Sequence, residues 1–152
     1  MNIALGGDHR GHAVLVGLIA SLEAEGHTLK VFGSQDGQTV DYPDTAFPVA
    51  RAVASGDFER GILVCGSGIG SCIAANKIRG VRAALAHDEL GAEMARRHHD
   101  ANILCLAADL MGGRTIERVV EMFLISEFEG GRHARRLDKI TAVEDSNLDA
   151  VG

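Results

Sequence analysis

The run Cys65-Gly66-Ser67-Gly68-Ile69-Gly70 combines a thiol, a hydroxyl and three alternating glycines. Glycine lets the backbone approach a ligand closely, and the amides at a helix start are unpaired, so this loop could hold an anion or a developing oxyanion. A helix N-terminus favours the thiolate, so Cys65 could act as a nucleophile or general base. The alternative is a tight turn beside a buried cysteine. Because position 71 is Ser, the dinucleotide fingerprint G-x-G-x-x-G is not met.

A carboxylate and an imidazole follow the first apolar run of the chain. Asp8 and His9 are suited to proton transfer or to binding substrate hydroxyls. Asp8 could instead cap the helix that begins near Gly11 or His12. The spacing of His9 and His12 is not H-E-x-x-H, which argues against a zinc protease.

Two basic clusters lie later in the chain. In the first, His98 and His99 are adjacent, so their side chains point in different directions and at most one reaches a given site. In the second, Arg132 and Arg136 are four residues apart on one predicted helical face, a spacing that could chelate a phosphate. A solvated helix start is the alternative for this second cluster.

Hydrophobic periodicity predicts strands alternating with helices. The strands are predicted at 2–5, 28–32, 61–64, 82–85 and 102–106, and the helices at 12–25, 45–55, 71–77, 89–98, 115–127 and 132 to about 145, with a short tail after. Asp44 is the candidate N-cap of the second helix, whose first turn would include Pro48. This pattern predicts one α/β domain, a doubly wound, Rossmann-like three-layer fold with a five-stranded parallel sheet.

In such folds, ligands bind beyond the carboxyl ends of the strands. That rule selects three segments of this chain, which are residues 7–11, residues 65–70 and the segment after Leu106. The chemistry-bearing loop at Cys65 and the Asp8-His9 pair both belong to this set.

Composition narrows the possible functions of the 152 residues. A net charge of −6 and 4% aromatic residues argue against a nucleic-acid-binding protein. The longest apolar stretch, 13–22, is about half the length of a membrane span. Three cysteines without C-x-x-C spacing indicate neither a disulfide framework nor a zinc site. Because no secretory signal is visible either, we expect a cytoplasmic protein.

The motifs together resemble the B-type ribose-5-phosphate isomerase family, which also includes galactose-6-phosphate isomerase subunits. The resemblance spans Asn2 to about Glu144 in the order and spacing of that family. The matching segments are 7–11, 41–43, 65–70, 74–77, His98 with Asp100 and Asn102, and 130–133.

The resemblance implies aldose–ketose isomerisation through an enediolate, with no metal or organic cofactor. Cys65 resembles the base that moves a proton between C1 and C2, and Ser67 and the loop amides at 66–70 would stabilise the enediolate. His98 resembles the acid that opens the sugar ring, and Asp8 a partner for substrate hydroxyls. The remaining matches are Tyr42, which would line the pocket, and the phosphate ligands His9, Arg132 and Arg136. Sites built from both subunits imply a homodimer, with a tetramer of paired dimers as the alternative.

Two substrate-site positions depart from the family pattern. His99 stands where an Asn is common, and Asp109 stands where an Arg commonly binds phosphate. An Asp109 that faces the pocket would repel a phosphate unless Arg10, Arg114 or Arg135 compensates, whereas one that turns away could pair with a nearby Arg. Ribose 5-phosphate is the favoured substrate. The alternatives are another sugar or sugar phosphate, a nucleotide-binding module without catalysis, and an interaction module without a site.

Overall fold

The computed structural model describes residues 1–33 and 36–149 and contains one five-stranded parallel sheet. The strands are β1 (Asn2–Gly7), β2 (Thr28–Phe32), β3 (Arg60–Cys65), β4 (Ala83–Leu85) and β5 (Ile103–Ala107), in the spatial order β2-β1-β3-β5-β4. The helices are α1 (His12–Ala24), α2 (Tyr42–Ala54), α3 (Ile69–Ala75), α4 (Glu89–His99), α5 (Gly113–Ile125) and α6 (Arg132–Asp149). The predicted parallel α/β fold is therefore confirmed.

Helices cover both faces of the sheet. Helices α1, α4 and α5 pack on one face and α2 and α3 on the other, which produces two apolar core layers. Central strand residues such as Leu5, Ile62 and Leu104 have no exposed surface. A strand that is buried on both faces carries apolar residues continuously, which is why short unbroken apolar runs marked these strands in the sequence.

The structure corrects the boundaries of four helices. Helices α3 and α5 each begin and end two residues earlier than predicted. Helix α2 begins at Tyr42 rather than at 45, since Pro43 lies in its first turn where proline is tolerated. Asp41 therefore occupies the N-cap position instead of Asp44, and Pro48 lies inside the helix instead of in its first turn. Helix α6 continues to Asp149, beyond the predicted end near 145, and residues 150–152 of the expected tail lie outside the described residues.

The strand order creates a switch point between β1 and β3. From β1 the chain moves outward to β2 on one side, and it then returns to β3 on the other side. The loops that follow β1 and β3 therefore leave the carboxyl edge of the sheet in diverging directions, and the crevice between them is the usual ligand position in such folds.

Helix α6 lies at the opposite, amino edge of the sheet. It contacts Arg79 and Gly80, which precede β4, through an Arg79–Asp145 ion pair and a 3.1 Å hydrogen bond from the Gly80 amide to Glu144. None of the described helices combines the length and the apolar character that crossing a membrane requires.

Candidate functional site

A cavity of about 440 Å³ opens at the switch point between β1 and β3. All three segments that sequence reasoning selected contribute to it. Its lining residues are Asp8, Arg10, Tyr42, Cys65, Gly66, Ser67, Ile69, Gly70 and Asp109. The structure thus brings together most of the predicted site residues that follow β1, β3 and β5.

Cys65 is the last residue of β3, and it is 4% exposed beside the cavity. The Gly68 amide donates a hydrogen bond to its sulfur at 3.2 Å, which orients Sγ toward the loop. Gly68 has a φ of +73°, and a Cβ on it would lie 2.4 Å from Leu85 Cδ1. Only glycine fits both conditions, so Gly68 shapes the loop around the thiol although it does not line the cavity.

The rest of the loop forms the wall of the cavity beside Tyr42. The Ile69 amide donates to Ser67 Oγ at 3.3 Å. Gly70 lies so close to the Tyr42 ring that a Cβ atom added to Gly70 would be 2.8 Å from Tyr42 Cζ. The glycines therefore allow the backbone and an aromatic side chain to meet at a distance that other residues would not permit.

Asp8 lines the cavity but does not cap helix α1, whose N-cap position is Gly11 and has no side-chain cap hydrogen bond. Asp8 instead holds the turn between β1 and α1. Its Oδ1 accepts hydrogen bonds from the amides of Arg10 and Gly11, each at 3.0 Å, although the residue is only 7% exposed. These bonds hold the carboxylate at the end of β1, facing the loop after β3. His9 belongs to the same turn, but it is exposed and outside the cavity lining.

Asp109 faces the cavity and pairs with Arg10 at the same time. The Arg10 Nε donates to Asp109 Oδ2 at 2.6 Å, and this bond raises the pKa of Arg10. Both side chains are close to Gly66, where a Cβ would lie 2.7 Å from Asp109 Oδ2. Of the three compensating arginines considered from the sequence, Arg10 is therefore the one that meets Asp109.

Four predicted site residues lie away from this cavity. His98 and His99 end α4, which runs from the carboxyl end of β4 back to the amino end of β5. Arg132 and Arg136 are exposed on the first turns of α6, beside the same end of α4, and neither forms an ion pair within the described part of the chain. The structure therefore divides the predicted site between two opposite edges of the sheet.

A compact ionisable cluster surrounds His98 at the amino edge. The rings of His98 and His133 are stacked with centroids 4.2 Å apart and planes 6° apart. Glu129 Oε2 lies 3.9 Å from His98 Nε2 and 3.6 Å from His133 Nε2. Arg97 donates from Nε to Glu129 Oε1 at 2.7 Å and lowers the pKa of Glu129, whereas burial lowers the pKa of His133.

Glu129 was not among the predicted site residues, and His133 belonged to the matching segment 130–133 without a predicted role. Glu129 and His133 are four residues apart, but Gly130 and Gly131 separate them with positive φ angles of 65° and 56°. Helical spacing therefore did not predict their contact, and their approach to His98 is a long-range feature of the fold.

Other residues of the first basic cluster stabilise the turn between α4 and β5. Arg96 is 4% exposed and donates to Asp100 Oδ1 at 2.8 Å and to the Ala101 carbonyl at 2.6 Å. Asn102 bonds the segment before β4, since it accepts from the Arg82 amide and donates to the Gly80 carbonyl, both at 2.8 Å. Arg96, Asp100 and Asn102 thus hold the backbone that positions His98.

Cys72, which was not a predicted site residue, lies in α3 just beyond the loop. A hydrogen bond with Cys105 lowers the pKa of the Cys72 thiol to about 7, while the pKa of the fully buried Cys105 is raised. Cys72 is half-buried and lies outside the lining of the cavity.

Known proteins resemble this chain over nearly its whole length. The model of the Ribose/Galactose Isomerase family matches residues 3–140. Ribose-5-phosphate isomerase B of Escherichia coli (strain K12) is 38% identical over 142 residues, covering 93% of this chain and 95% of that protein. Ribose-5-P isomerase B of Listeria innocua is 39% identical over 147 residues, covering 97% and 99%.

Solved structures show the same fold. Ribose-5-Phosphate Isomerase B of Clostridium thermocellum superimposes with a TM-score of 0.95 at 41% identity, covering 97% of this chain and 99% of that one. The enzyme of Mycoplasma genitalium, solved with bound ribulose-5-phosphate, superimposes with a TM-score of 0.91 at 40% identity, covering 95% and 96%.

Proposed function

The chain belongs to the ribose/galactose isomerase family, and on that basis we propose that it interconverts ribose 5-phosphate and ribulose 5-phosphate. The observation that carries this proposal is the position of Cys65 at the end of β3, beneath a glycine loop and facing Asp8 across the cavity. The reaction moves a proton between adjacent carbons and needs a base beside an oxyanion site, which is what this arrangement can supply.

Cys65 is the proposed base. Its sulfur accepts a hydrogen bond from the Gly68 amide at 3.2 Å, and the residue lines the cavity. A thiolate at this position would therefore be held in a fixed direction. It would take the proton from C2 of the open-chain aldose and return it to C1. The other lining carboxylates, Asp8 and Asp109, are engaged by backbone amides and by Arg10, respectively.

Negative charge develops on the substrate oxygens as the enediolate forms. Ser67 and the amides of the loop at 66–70 are the proposed donors to this charge, and one such donor commonly contributes ~3–4 kcal/mol. Asp8 Oδ1 already accepts two amides, so Oδ2 is the proposed acceptor for a substrate hydroxyl. Tyr42 closes the side of the cavity against Gly70.

The remaining proposed groups come from a second copy of the chain. His98, Arg132 and Arg136 lie at the amino edge of the sheet, so one copy cannot bring them to its own Cys65. We propose a homodimer, with the option of pairing into a tetramer, in which the amino edge of one copy faces the cavity of the other. His98 would open the sugar ring, His99 would border the sugar, and His9, Arg132 and Arg136 would hold the phosphate.

The Arg10–Asp109 pair bears on the choice of substrate. Asp109 lines the cavity, but Arg10 Nε lies 2.6 Å from Asp109 Oδ2 and compensates its negative charge. Repulsion between Asp109 and a phosphate therefore no longer argues against a phosphorylated substrate. The similarity to enzymes named for ribose 5-phosphate favours that sugar over the other sugars. Family membership likewise favours an enzyme over a binding module, and we propose a single catalytic domain in the cytoplasm.

The test is isomerisation of ribose 5-phosphate by the purified protein, beside unphosphorylated ribose and allose. We expect the phosphorylated pentose to be used best, and Cys65→Ala to lower kcat by ~1,000-fold or more because the base is lost. Cys72→Ala is the matched control, since its thiol lies outside the cavity lining.

Two results would overturn the assignment. Near-normal turnover by a folded Cys65→Ala protein, as judged by circular dichroism, would exclude Cys65 as the base. Faster turnover of a free sugar than of ribose 5-phosphate would exclude the proposed substrate.

A further inference from the structure

We propose that His98, Glu129 and His133 form a binding site for a divalent transition-metal cation of the Zn²⁺ class. Among the described residues, these are the histidine, cysteine and acidic side chains whose ligand atoms converge, all within 4.8 Å of one another. Two imidazoles and one carboxylate are a common protein ligand set for zinc, with a fourth position left to water.

Glu129 is held in place before any ion binds. Arg97 donates to its Oε1, and the Glu129 amide donates to the Arg97 carbonyl at 3.0 Å. The carboxylate is therefore anchored from one side through both its side chain and its backbone. Oε2 is left on the side that faces the two imidazoles.

His133 supplies a buried nitrogen that points into this cluster without a hydrogen bond. The residue is 5% exposed, and its Nε2 has no hydrogen-bond partner among the described residues. The Glu129 Oε2 lies 3.6 Å from this nitrogen, which is too far for a hydrogen bond. A cation between these two atoms would give the buried nitrogen the partner that the described part of the chain does not provide.

The two separations that involve Glu129 are close to those of a zinc site, and the two histidine nitrogens lie within 4.8 Å of each other. Zinc bonds of about 2.0–2.2 Å in tetrahedral geometry place ligand atoms roughly 3.3 Å apart. Glu129 Oε2 lies 3.6 Å from His133 Nε2 and 3.9 Å from His98 Nε2. These two distances need to shorten by only a few tenths of an ångström for the three atoms to bind one zinc ion. The two parallel rings must tilt until their lone pairs converge, and His98, whose side chain is 31% exposed, has the space to do so.

Occupation of this site would inhibit the enzyme. This consequence rests on the proposed function, in which His98 donates and accepts the proton of ring opening. A histidine nitrogen that binds a cation cannot transfer a proton, so the cation and the substrate would compete for His98. The site would thus be inhibitory rather than catalytic, and the reaction itself would need no metal.

The first experiment is calorimetric titration of the metal-free wild-type protein with ZnCl₂. We expect one ion per chain, and X-ray absorption at the zinc edge should show nitrogen and oxygen ligands without sulfur. His133→Gln and Glu129→Gln should each weaken zinc binding by ~100-fold or more, because the loss of even an outer-shell partner costs 10–100-fold.

Two matched controls separate this site from other zinc ligands. His27→Gln removes a histidine that pairs with a single carboxylate, Glu25, at 3.7 Å. Cys72→Ser removes the half-buried thiol beside Cys105. Neither variant should change the affinity or the stoichiometry of zinc.

The second experiment measures ribose 5-phosphate turnover with and without saturating Zn²⁺, each variant against its own metal-free rate. We expect ~100-fold inhibition of the wild type, reversed by EDTA, and little inhibition of His133→Gln. Absence of zinc binding, sulfur ligation, or binding unaffected by both ligand substitutions would overturn the site. Binding at these residues by a protein without isomerase activity would instead keep the site and reject the proposed function.

Discussion

At the scale of single residues, the cavity contains a negative charge where an anionic substrate is proposed to bind. Asp109 would repel a phosphate across the cavity if it were alone, and unit charges about 4 Å apart interact by ~4 kcal/mol at an effective dielectric constant near 20. Arg10 prevents this by pairing with Asp109 at 2.6 Å. The two side chains are 57% and 40% exposed, so solvent also weakens the repulsion.

Removal of Arg10 alone should therefore weaken substrate binding more than removal of both Arg10 and Asp109. We expect Arg10→Ala to raise KM for ribose 5-phosphate by ~10-fold, which corresponds to 1.4 kcal/mol, with a smaller change in kcat. The Arg10→Ala/Asp109→Ala double variant should return KM toward the wild-type value. Steady-state kinetics at low and high salt measure this coupling, and equal KM values for the single and double variants would contradict it.

Cys72 should be alkylated readily at neutral pH. Its pKa is lowered to about 7 by the hydrogen bond with Cys105, and the thiolate is the nucleophilic form. Alkylation by iodoacetamide should accelerate as the pH rises through about 7 and then level off. Mass spectrometry of the labelled peptides gives the rate at each cysteine.

The variant that checks the cause of this reactivity is Cys105→Ala. Without the Cys105 hydrogen bond, the pKa of Cys72 should rise toward the ordinary value of about 8.5, and labelling at pH 7 should slow by ~10-fold. A Cys72 labelling rate that is the same at pH 6 and pH 8 in the wild type would show that the thiol is not deprotonating in this range.

At the scale of secondary-structure elements, the connection from β3 to α3 determines the shape of the cavity. The chain turns at Gly68 with a positive φ, and α3 begins at the next residue. The turn directs the Gly68 amide back to Cys65 and packs Gly70 against Tyr42. Short contacts on both sides leave this loop little freedom to move, so it holds its donors in place before the substrate arrives.

Gly68→Ala should damage both stability and catalysis. The left-handed conformation costs a non-glycine residue ~1–3 kcal/mol, and the new Cβ would lie 2.4 Å from Leu85 Cδ1. We expect a lower free energy of unfolding by that amount in urea titrations and a loss of kcat beyond any change in KM.

Gly17→Ala is the matched control for this substitution. Gly17 lies in α1, and a Cβ there meets nothing within 4 Å. The free energy of unfolding should rise by ~0.5–1 kcal/mol because alanine favours a helix, with activity unchanged. A Gly68→Ala protein as stable and active as this control would contradict the role assigned to the turn.

At the scale of the whole molecule, the sheet separates two sets of chemical groups. Cys65 and Asp8 lie at the carboxyl edge, whereas His98 and the exposed arginines of α6 lie at the amino edge. A two-fold dimer that places opposite edges together would complete two equivalent sites, since each copy would supply a different half to each.

Mixing two inactive variants tests this arrangement directly. Cys65→Ala and His98→Ala proteins should each be inactive alone. After joint unfolding and refolding, about a quarter of the wild-type activity should return, because half of the dimers are mixed and each mixed dimer has one intact site. Absence of recovered activity, with mixed dimers demonstrated by mass spectrometry, would place His98 and Cys65 in the same copy.

Local sequence features determined most of the fold. Apolar runs identified the central strands β1, β3 and β5, since strands buried on both faces need apolar side chains. The edge strands β2, which includes Lys30, and β4 are partly exposed. Helical periodicity and the turn glycines located the six helices, with the largest errors at the start of α2 and the end of α6 and shifts of two residues in α3 and α5. The three loops of the cavity followed from these elements, because the carboxyl ends of parallel strands meet at one edge of the sheet.

Only the tertiary structure decided which residues distant in the chain come into contact. Contacts between residues distant in the chain, such as Arg10 with Asp109 and His98 with His133, depend on how the helices pack and not on sequence spacing. The opposite position of His98 follows from the chain path, since a helix that joins two parallel strands must end at the amino edge. The residue types established which chemistry was available, and only the packing of distant segments decided which groups could share a site.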